Sequence, residues 1–339
     1  MNGKEKYMGM ALDAAWQYQG LTYPNPAVGC AIVQNGAVIA VGAHAKAGEP
    51  HAEVMALKEA YMALSIDRGI EKLTQADEIH EYLLKHHNGI FLFCDMYITL
   101  EPCTHQGKTP SCASLIQKIR PKNVYISHYD PNPEATGGAQ ALISAGVEVH
   151  YGMCEDEGNA LLEPFIKWNK KNFVLFKWAQ RLDGTVDGGL ISDEISRKSV
   201  HAIRNCCDLI VIGGNTVRTD RPILDARLVN GKAPDVLIYS NTNDFDEKIS
   251  LFGVEGRKVF IEDSLDRINE YKNILIEGGP SMLEATKDIV DRYLCFLSPK
   301  SGGKTVFADK VIDLEILNAK QLENDLMIWM EKKGKIDGN

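Results

Sequence analysis

Short β-rich apolar runs alternate with segments of helical period along most of this chain, and that alternation restricts the fold to layered α/β architecture. Met8 to Gln17 has helical spacing, and the apolar run "CAIVQNGAVIAVG" follows it. Asn35-Gly36 interrupts that run, and this dipeptide marks a two-residue hairpin. "HAEVMALKEAYMAL" places Val54, Leu57, Ala60 and Leu64 on one helical face. "DMYITL" and "KNVYISHY" read as strands around the helical "CASLIQKI", and "GGAQALISAG" leads into the strand "VEVHYGM". Ser65 to Asn88 is charged and reads as a helical surface insertion, with His86 and His87 in solvent.

A second α/β series begins after a charged helical stretch, Glu155 to Lys171. Its strands are "NFVLFKWAQ", "CDLIVIGG", "DVLIYS", "RKVFI", "KNILIEGG" and "RYLCFLSP", with "ISRKSVHAIRN" as a helix. A chain of 339 residues suits two domains. The expected division is 1–150, a connector 151–171, and 172–339. A hydrophobic fraction of 45% supplies both cores without help from metal or disulfides. The net charge of −9 counts against a general nucleic-acid binder while leaving room for a local basic pocket. No apolar run is long enough for a bilayer, and the N-terminal segment lacks a signal core. The 8 cysteines are scattered, so a disulfide framework is not expected and a cytoplasmic location is.

Two of those cysteines pose the chemical question. In "EPCTHQGKTPSC", Cys103 and Cys112 flank a loop, and His51-Ala52-Glu53 stands far upstream, directly after Pro50. A redox couple normally has shorter spacing. A structural zinc site and a catalytic one remain. Catalytic zinc takes three protein ligands and leaves one position open, and His51, Cys103 and Cys112 would supply such a set. Both thiolates are expected near helix N-termini, where the dipole favours the anion. Glu53 favours catalysis. Zinc acidifies bound water, and a nearby carboxylate can move its proton to a leaving amine, whereas a structural site has no use for one. His-x-Glu with Pro-Cys is the arrangement of zinc deaminases, although their second cysteine usually follows after two residues. His105 could be a fourth ligand, but a closed shell would remove the water position, so it reads better as a contact to substrate or to one of the metal ligands.

"PNPAVGCAIV", "GAHAKAGEPHAE", "YITLEPCTHQGKTPSC" and "DPNPEATGG" together resemble the bifunctional riboflavin-biosynthesis deaminase/reductase family. In the second half "FKWAQRLDGTV", "VHAIRNCCDLIVIGGNTVRTDRPILDAR" and "ILIEGGPSML" carry the same resemblance. It implies a cytidine-deaminase-like three-layer α/β/α domain followed by a dihydrofolate-reductase-like α/β domain, with Zn2+ and NADPH as cofactors. The implied substrate is 2,5-diamino-6-ribosylamino-4(3H)-pyrimidinone 5′-phosphate, a small molecule. It would lose its ring 2-amino group and then have its ribosyl group reduced to ribityl. Glu53 would shuttle protons, and Asn25, His44, His105 and Lys108 would contact substrate. Ala179, Thr216, Asp220, Ser240 and the turn Gly279, Pro280, Ser281 to Ala285 would contact the nicotinamide cofactor. Arg204, Leu224, Arg227 and Glu277 would contact the second substrate. Asp183 is expected to be catalytic, to organise the site or to cap its turn. The family also implies a homodimer or homotetramer built through the reductase half, with neither nucleic acid nor membrane as partner.

From the residues alone, "ILIEGGP" would be a phosphate cradle or a plain strand-to-helix turn. The absence of G-x-G-x-x-G argues against a Rossmann domain. The chain also departs from the family. Leu190 stands where a tryptophan would pack on the cofactor, and Gly188 where a serine would contact substrate. The pattern fades after "LSPKSGGKTVF". An alternative is therefore an active deaminase with a weak or inactive reductase half that serves as a dimerisation scaffold.

Overall fold

The structure, a computed structural model, describes residues 3–104, 110–132, 135–308 and 310–334. The chain divides into two compact units, Met1–Asn169 and Lys170–Asn339.

The first unit runs α1 (Glu5–Trp16), β1 (Gly29–Gln34), β2 (Ala37–Ala43), α2 (Ala52–Leu64), α3 (Ala76–His86), β3 (Cys94–Leu100), α4 (Cys112–Ile119), β4 (Asn123–His128), α5 (Gly138–Ser144) and β5 (Glu148–Tyr151). It closes with α6 (Glu155–Lys170), which ends at the boundary. The strands form one sheet in the order β2-β1-β3-β4-β5. β1 is antiparallel to both neighbours, and β3, β4 and β5 are parallel. Asn35 and Gly36 turn the β1–β2 hairpin with positive φ of 50° and 80°, as a type I′ turn requires.

Alternation along the strands creates two faces. Cys30, Ile32, Met96, Ile98, Val124 and Ile126 join the core beneath α2 to α5. On the opposite pleat Tyr97 and Tyr125 stack at 4.7 Å, and Tyr7 of α1 packs against Tyr97 at 5.3 Å. This is the three-layer α/β/α fold.

Ser65 to Asn88 is more than a surface insertion. Ile70, Ile79 and Leu83 are fully buried in the main core, and Asp67 accepts hydrogen bonds from the Tyr61 and Tyr82 hydroxyls at 2.9 and 2.5 Å. His86 is exposed but stacks on Tyr82, and His87 is partly buried. α6 likewise packs within the first unit, where Leu161 and Leu162 are buried and Gln19 donates to the Leu161 carbonyl at 2.7 Å.

The second unit runs β6 (Phe173–Arg181), α7 (Glu194–Cys206), β7 (Leu209–Gly213), α8 (Gly214–Asp220), β8 (Asp235–Tyr239), β9 (Val259–Glu262), β10 (Asn273–Glu277), α9 (Pro280–Thr286), β11 (Arg292–Ser298), β12 (Leu314–Leu322) and β13 (Asp325–Lys332). Its sheet has the order β12-β13-β11-β6-β10-β7-β8-β9. The six strands from β11 to β9 are parallel, and β13 and β12 join antiparallel. Central strands such as "NILIE" are buried along their whole length, which explains their unbroken apolar runs. The β12–β13 hairpin follows the point where the sequence pattern fades.

Candidate metal centre and reductase cleft

Pro50 turns the chain into α2, leaving His51 as the extended residue at its N-terminus and Glu53 in its first turn. β3 delivers Glu101, Pro102 and Cys103 from its C-terminal end, and Cys112 is the first residue of α4. Only Cys112 is therefore on a helix. Cys103 reaches the same helix end through its sulfur, which accepts the Cys112 amide at 3.5 Å. The Cys112 thiol also donates to Cys103. This hydrogen bond is the main reason Cys103 is held down to about 4.

The three donor atoms converge. His51 Nδ1 lies 3.7 Å from Cys103 Sγ and 3.4 Å from Cys112 Sγ, and all three atoms lie within 4.8 Å of one another. Tetrahedral zinc bonded to imidazole and thiolate places N and S about 3.6 Å apart. The donor set fits zinc in both chemistry and spacing. Ser111, the N-cap of α4, ties the two cysteine segments together by donating to the Cys103 carbonyl at 2.9 Å and accepting the Ser114 amide. His80, buried on α3, lies 3.3 Å from the Ser111 carbonyl.

His51 and Cys103 open on a cavity of about 480 Å³ that also presents Asn25, His44, Glu53, Glu101, Asp130 and Asn132, and Cys112 is fully buried behind them. Glu53 is buried, which pushes its carboxyl above the ordinary range. His44 is held at about 4 by burial. Its Nδ1 donates to the Pro50 carbonyl at 3.1 Å, so its Nε2 accepts from the Asn25 amide at 3.1 Å. This fixes the Asn25 side chain in the cavity wall. His105 and Lys108 lie outside the described residues. Glu101, which the sequence reading passed over, accepts from the Gly137 and Ala139 amides and the Thr136 hydroxyl, each at 3.1 Å. A carboxylate directly before Pro-Cys was the available signal.

In the second unit Thr216, Ser240, Gly279, Pro280 and Ser281 line a cleft of about 490 Å³, while Ala179 and Asp220 lie outside its lining. Its floor needs glycine, because a Cβ on Gly214 would meet the Ser240 side chain at 2.7 Å. That cradle fits an extended ligand such as a dinucleotide. Arg204, Leu224, Arg227 and Glu277 gather separately. Arg204 pairs with Glu277, Arg227 bonds Asp225 at 2.5 Å, and Leu224 is buried with φ of 57°. Arg257 donates to the Leu224 carbonyl at 3.0 Å and supports that bend. Lys177 was also missed by the sequence reading. It stands 3.8 Å from Glu277, and burial lowers its pKa. Asp183 caps its own turn, accepting from Thr185 and from the Gly302 amide at 2.5 Å. Leu190 is 64% exposed.

Residues 1–128 match the cytidine and deoxycytidylate deaminase zinc-binding region, and residues 172–328 match the RibD C-terminal domain. Riboflavin biosynthesis protein RibD of Aquifex aeolicus is 32% identical over 97% of this chain and 94% of its own. The chain belongs to the RibD family. RibD of Actinobacillus pleuropneumoniae is 30% identical over 95% of this chain and 93% of its own. A crystal structure from Thermotoga maritima, described as a diaminohydroxyphosphoribosylaminopyrimidine deaminase/5-amino-6-(5-phosphoribosylamino)uracil reductase, superposes with a TM-score of 0.66. It is 28% identical and covers 97% of this chain and 99% of that one. As a RibD-family member the chain is a bifunctional enzyme of riboflavin biosynthesis, a hydrolase with a zinc-binding deaminase domain and an oxidoreductase.

Proposed function

We propose that the first unit deaminates 2,5-diamino-6-ribosylamino-4(3H)-pyrimidinone 5′-phosphate and that the second reduces the ribosyl group of the product. One observation carries the reading: the His51, Cys103 and Cys112 donors converge, and His51 and Cys103 share one cavity with the buried Glu53 carboxyl. His51, Cys103 and Cys112 would hold zinc, which when bound acidifies water for hydrolysis. Glu53 accepts a proton from the attacking water and returns one to the departing amine, which leaves as ammonia. Burial suits it to returning the proton by raising its pKa above the ordinary carboxylate range. Asn25, held by His44, presents its amide to the pyrimidine edge, and His105 and Lys108 are assigned to substrate from the family pattern.

In the second unit the cleft at Thr216, Ser240, Gly279, Pro280 and Ser281 would hold NADPH, which when bound would supply hydride to the sugar carbon bonded to nitrogen, while that carbon's bond to the ring oxygen breaks and the oxygen takes a proton from water. Ala179 and Asp220 are assigned to the cofactor from the family pattern alone. Arg227, more than half exposed and paired with Asp225, is assigned to the substrate phosphate, and Arg204, Leu224 and Glu277 are assigned to the same substrate from the family pattern. The scaffold-only alternative is not favoured, because the reductase domain match spans residues 172–328. Assembly as a homodimer or homotetramer through this unit, and a cytoplasmic location, follow from the resemblance. No helix among the described residues is long and apolar enough to cross a membrane.

The test is to give the zinc-loaded protein the diamino substrate with and without NADPH and identify products by mass. Deamination in both tubes, with reduction only where NADPH is present, is expected. A substrate left intact in both sinks the deaminase assignment.

A further inference from the structure

We infer that Arg218 selects the reductase cofactor by binding a phosphate on its adenosine 2′-oxygen. This rests on the nicotinamide-cofactor reading of the cleft. Arg218 lies on α8 and faces the chain leaving β8. Its Nη2 donates to Ser240 Oγ at 3.2 Å, Thr242 Oγ1 at 2.5 Å and Asp244 Oδ1 at 2.6 Å. The guanidinium sits over the Phe245 ring, 4.3 Å from its centroid, which sets its plane. Its Nε is buried with no hydrogen-bond partner among the described residues.

The Thr242 hydroxyl also donates to Asp244 Oδ1. That single oxygen thus receives both donors and marks where an anionic oxygen is held. Asp244 is a replaceable occupant, since its side chain is 73% exposed against 28% for Arg218. Arg218, Ser240 and Thr242 line the cleft, whereas Asp244 does not. A phosphate monoester brings three acceptor oxygens and close to two negative charges. It would keep both donors that Asp244 now uses and add oxygens matched to the guanidinium fork. NADH has a hydroxyl at this position and offers the cation little. Some dinucleotide sites choose NADH with an acidic residue on the ribose 2′-hydroxyl. Asp244 would be such a residue only if it faced the cleft.

Calorimetric titration of the full chain with NADPH and with NADH tests this, using wild type, Arg218→Met, Arg218→Lys and Asp244→Asn. Wild type should bind NADPH more tightly than NADH. Arg218→Met should weaken NADPH roughly tenfold to a hundredfold while leaving NADH unchanged. Arg218→Lys should keep part of the preference, and Asp244→Asn should tighten NADPH alone. Wild-type preference for NADPH should also fall with added salt, and that dependence should shrink in Arg218→Met. Equal weakening of both cofactors by Arg218→Met, or of neither, overturns the assignment, and so does weaker NADH binding by Asp244→Asn. Failure of wild type to bind either cofactor would instead overturn the cofactor reading of the cleft.

Discussion

Arg204 and Glu277 close on each other through two parallel hydrogen bonds, Nε to Oε1 at 2.6 Å and Nη2 to Oε2 at 2.9 Å. The family pattern suggests that both contact substrate, yet each already satisfies the other. Lys177 adds a second cation, and Arg204 also donates to the Asp225 carbonyl at 3.2 Å. The pair therefore fixes the end of β10 against α7 and the 224–227 loop before any ligand arrives.

That arrangement predicts acid-sensitive stability. Burial alone would raise the Glu277 pKa, but Arg204 and then Lys177 outweigh it and hold the carboxyl at about 2, below its ordinary 4.5. A depressed carboxylate stabilises the fold fully above the ordinary value, and the stabilisation is lost as pH falls through 4.5 toward 2. At about 1.4 kcal/mol per tenfold the contribution at neutral pH is roughly 3 kcal/mol. Urea denaturation of Glu277→Gln should show a loss of that order at neutral pH, narrowing near pH 3. A gap independent of pH would contradict the linkage.

Removal of zinc should separate the two activities. Its donors all belong to the first unit, and the cleft assigned to NADPH belongs to the second. Treatment with a strong chelator should abolish deamination while leaving NADPH-dependent reduction of added deaminated substrate within about twofold. Glu53→Ala should give the same split with metal still bound, losing about 10²- to 10⁴-fold in deamination. Metal analysis beside both assays checks this. Retained deamination in the metal-free protein would remove the basis of the proposed site.

Much of this was legible in the sequence because it is written in local periodicity. Asn35-Gly36 is a local hairpin signal, and the central strands of the second unit announce themselves by composition. His51 and Cys103 meet across 52 positions, and only chemistry, not spacing, could join them. Glu101 and Lys177 each appear as one charge beside apolar neighbours, and their partners lie in distant segments. β12 and β13 were both missed, because β12 is half-exposed or exposed throughout with no clean alternation and β13 breaks its alternation at the adjacent buried Trp329 and Met330. Ser65 to Asn88 was misjudged because charge on one side of α3 obscured Ile79 and Leu83, four apart on the buried side.

The buried side of that segment can be tested directly. Leu83 is fully buried in the core shared with α2 and α4. Truncating a leucine in such a place leaves a cavity and costs about 2–5 kcal/mol, whereas an exposed site changes stability by within about 0.5. Leu83→Ala should therefore lower the urea midpoint of the full chain clearly. A loss within error would mean that the segment is the surface insertion its charges suggest.

Glu101 offers the sharpest test of how the deaminase cavity is held open. One of its oxygens accepts the Gly137 and Ala139 amides at 3.1 Å, and the other accepts the Thr136 hydroxyl at 3.1 Å and the Asp130 amide at 3.3 Å. Three of the partners are backbone amides that can only donate, so a glutamine must turn its NH2 toward at least one of them and lose that bond, even if the Thr136 hydroxyl rotates to accept. Asp130, Asn132 and Ala135 line the cavity from the same loop. Glu101→Gln should therefore let that wall move and lower deamination kcat/KM by roughly tenfold to a hundredfold, while metal binding and reduction persist. Glu101→Asp keeps the acceptors at shorter reach and should recover part of the loss. Unchanged deamination in Glu101→Gln would show that the loop does not depend on this carboxylate.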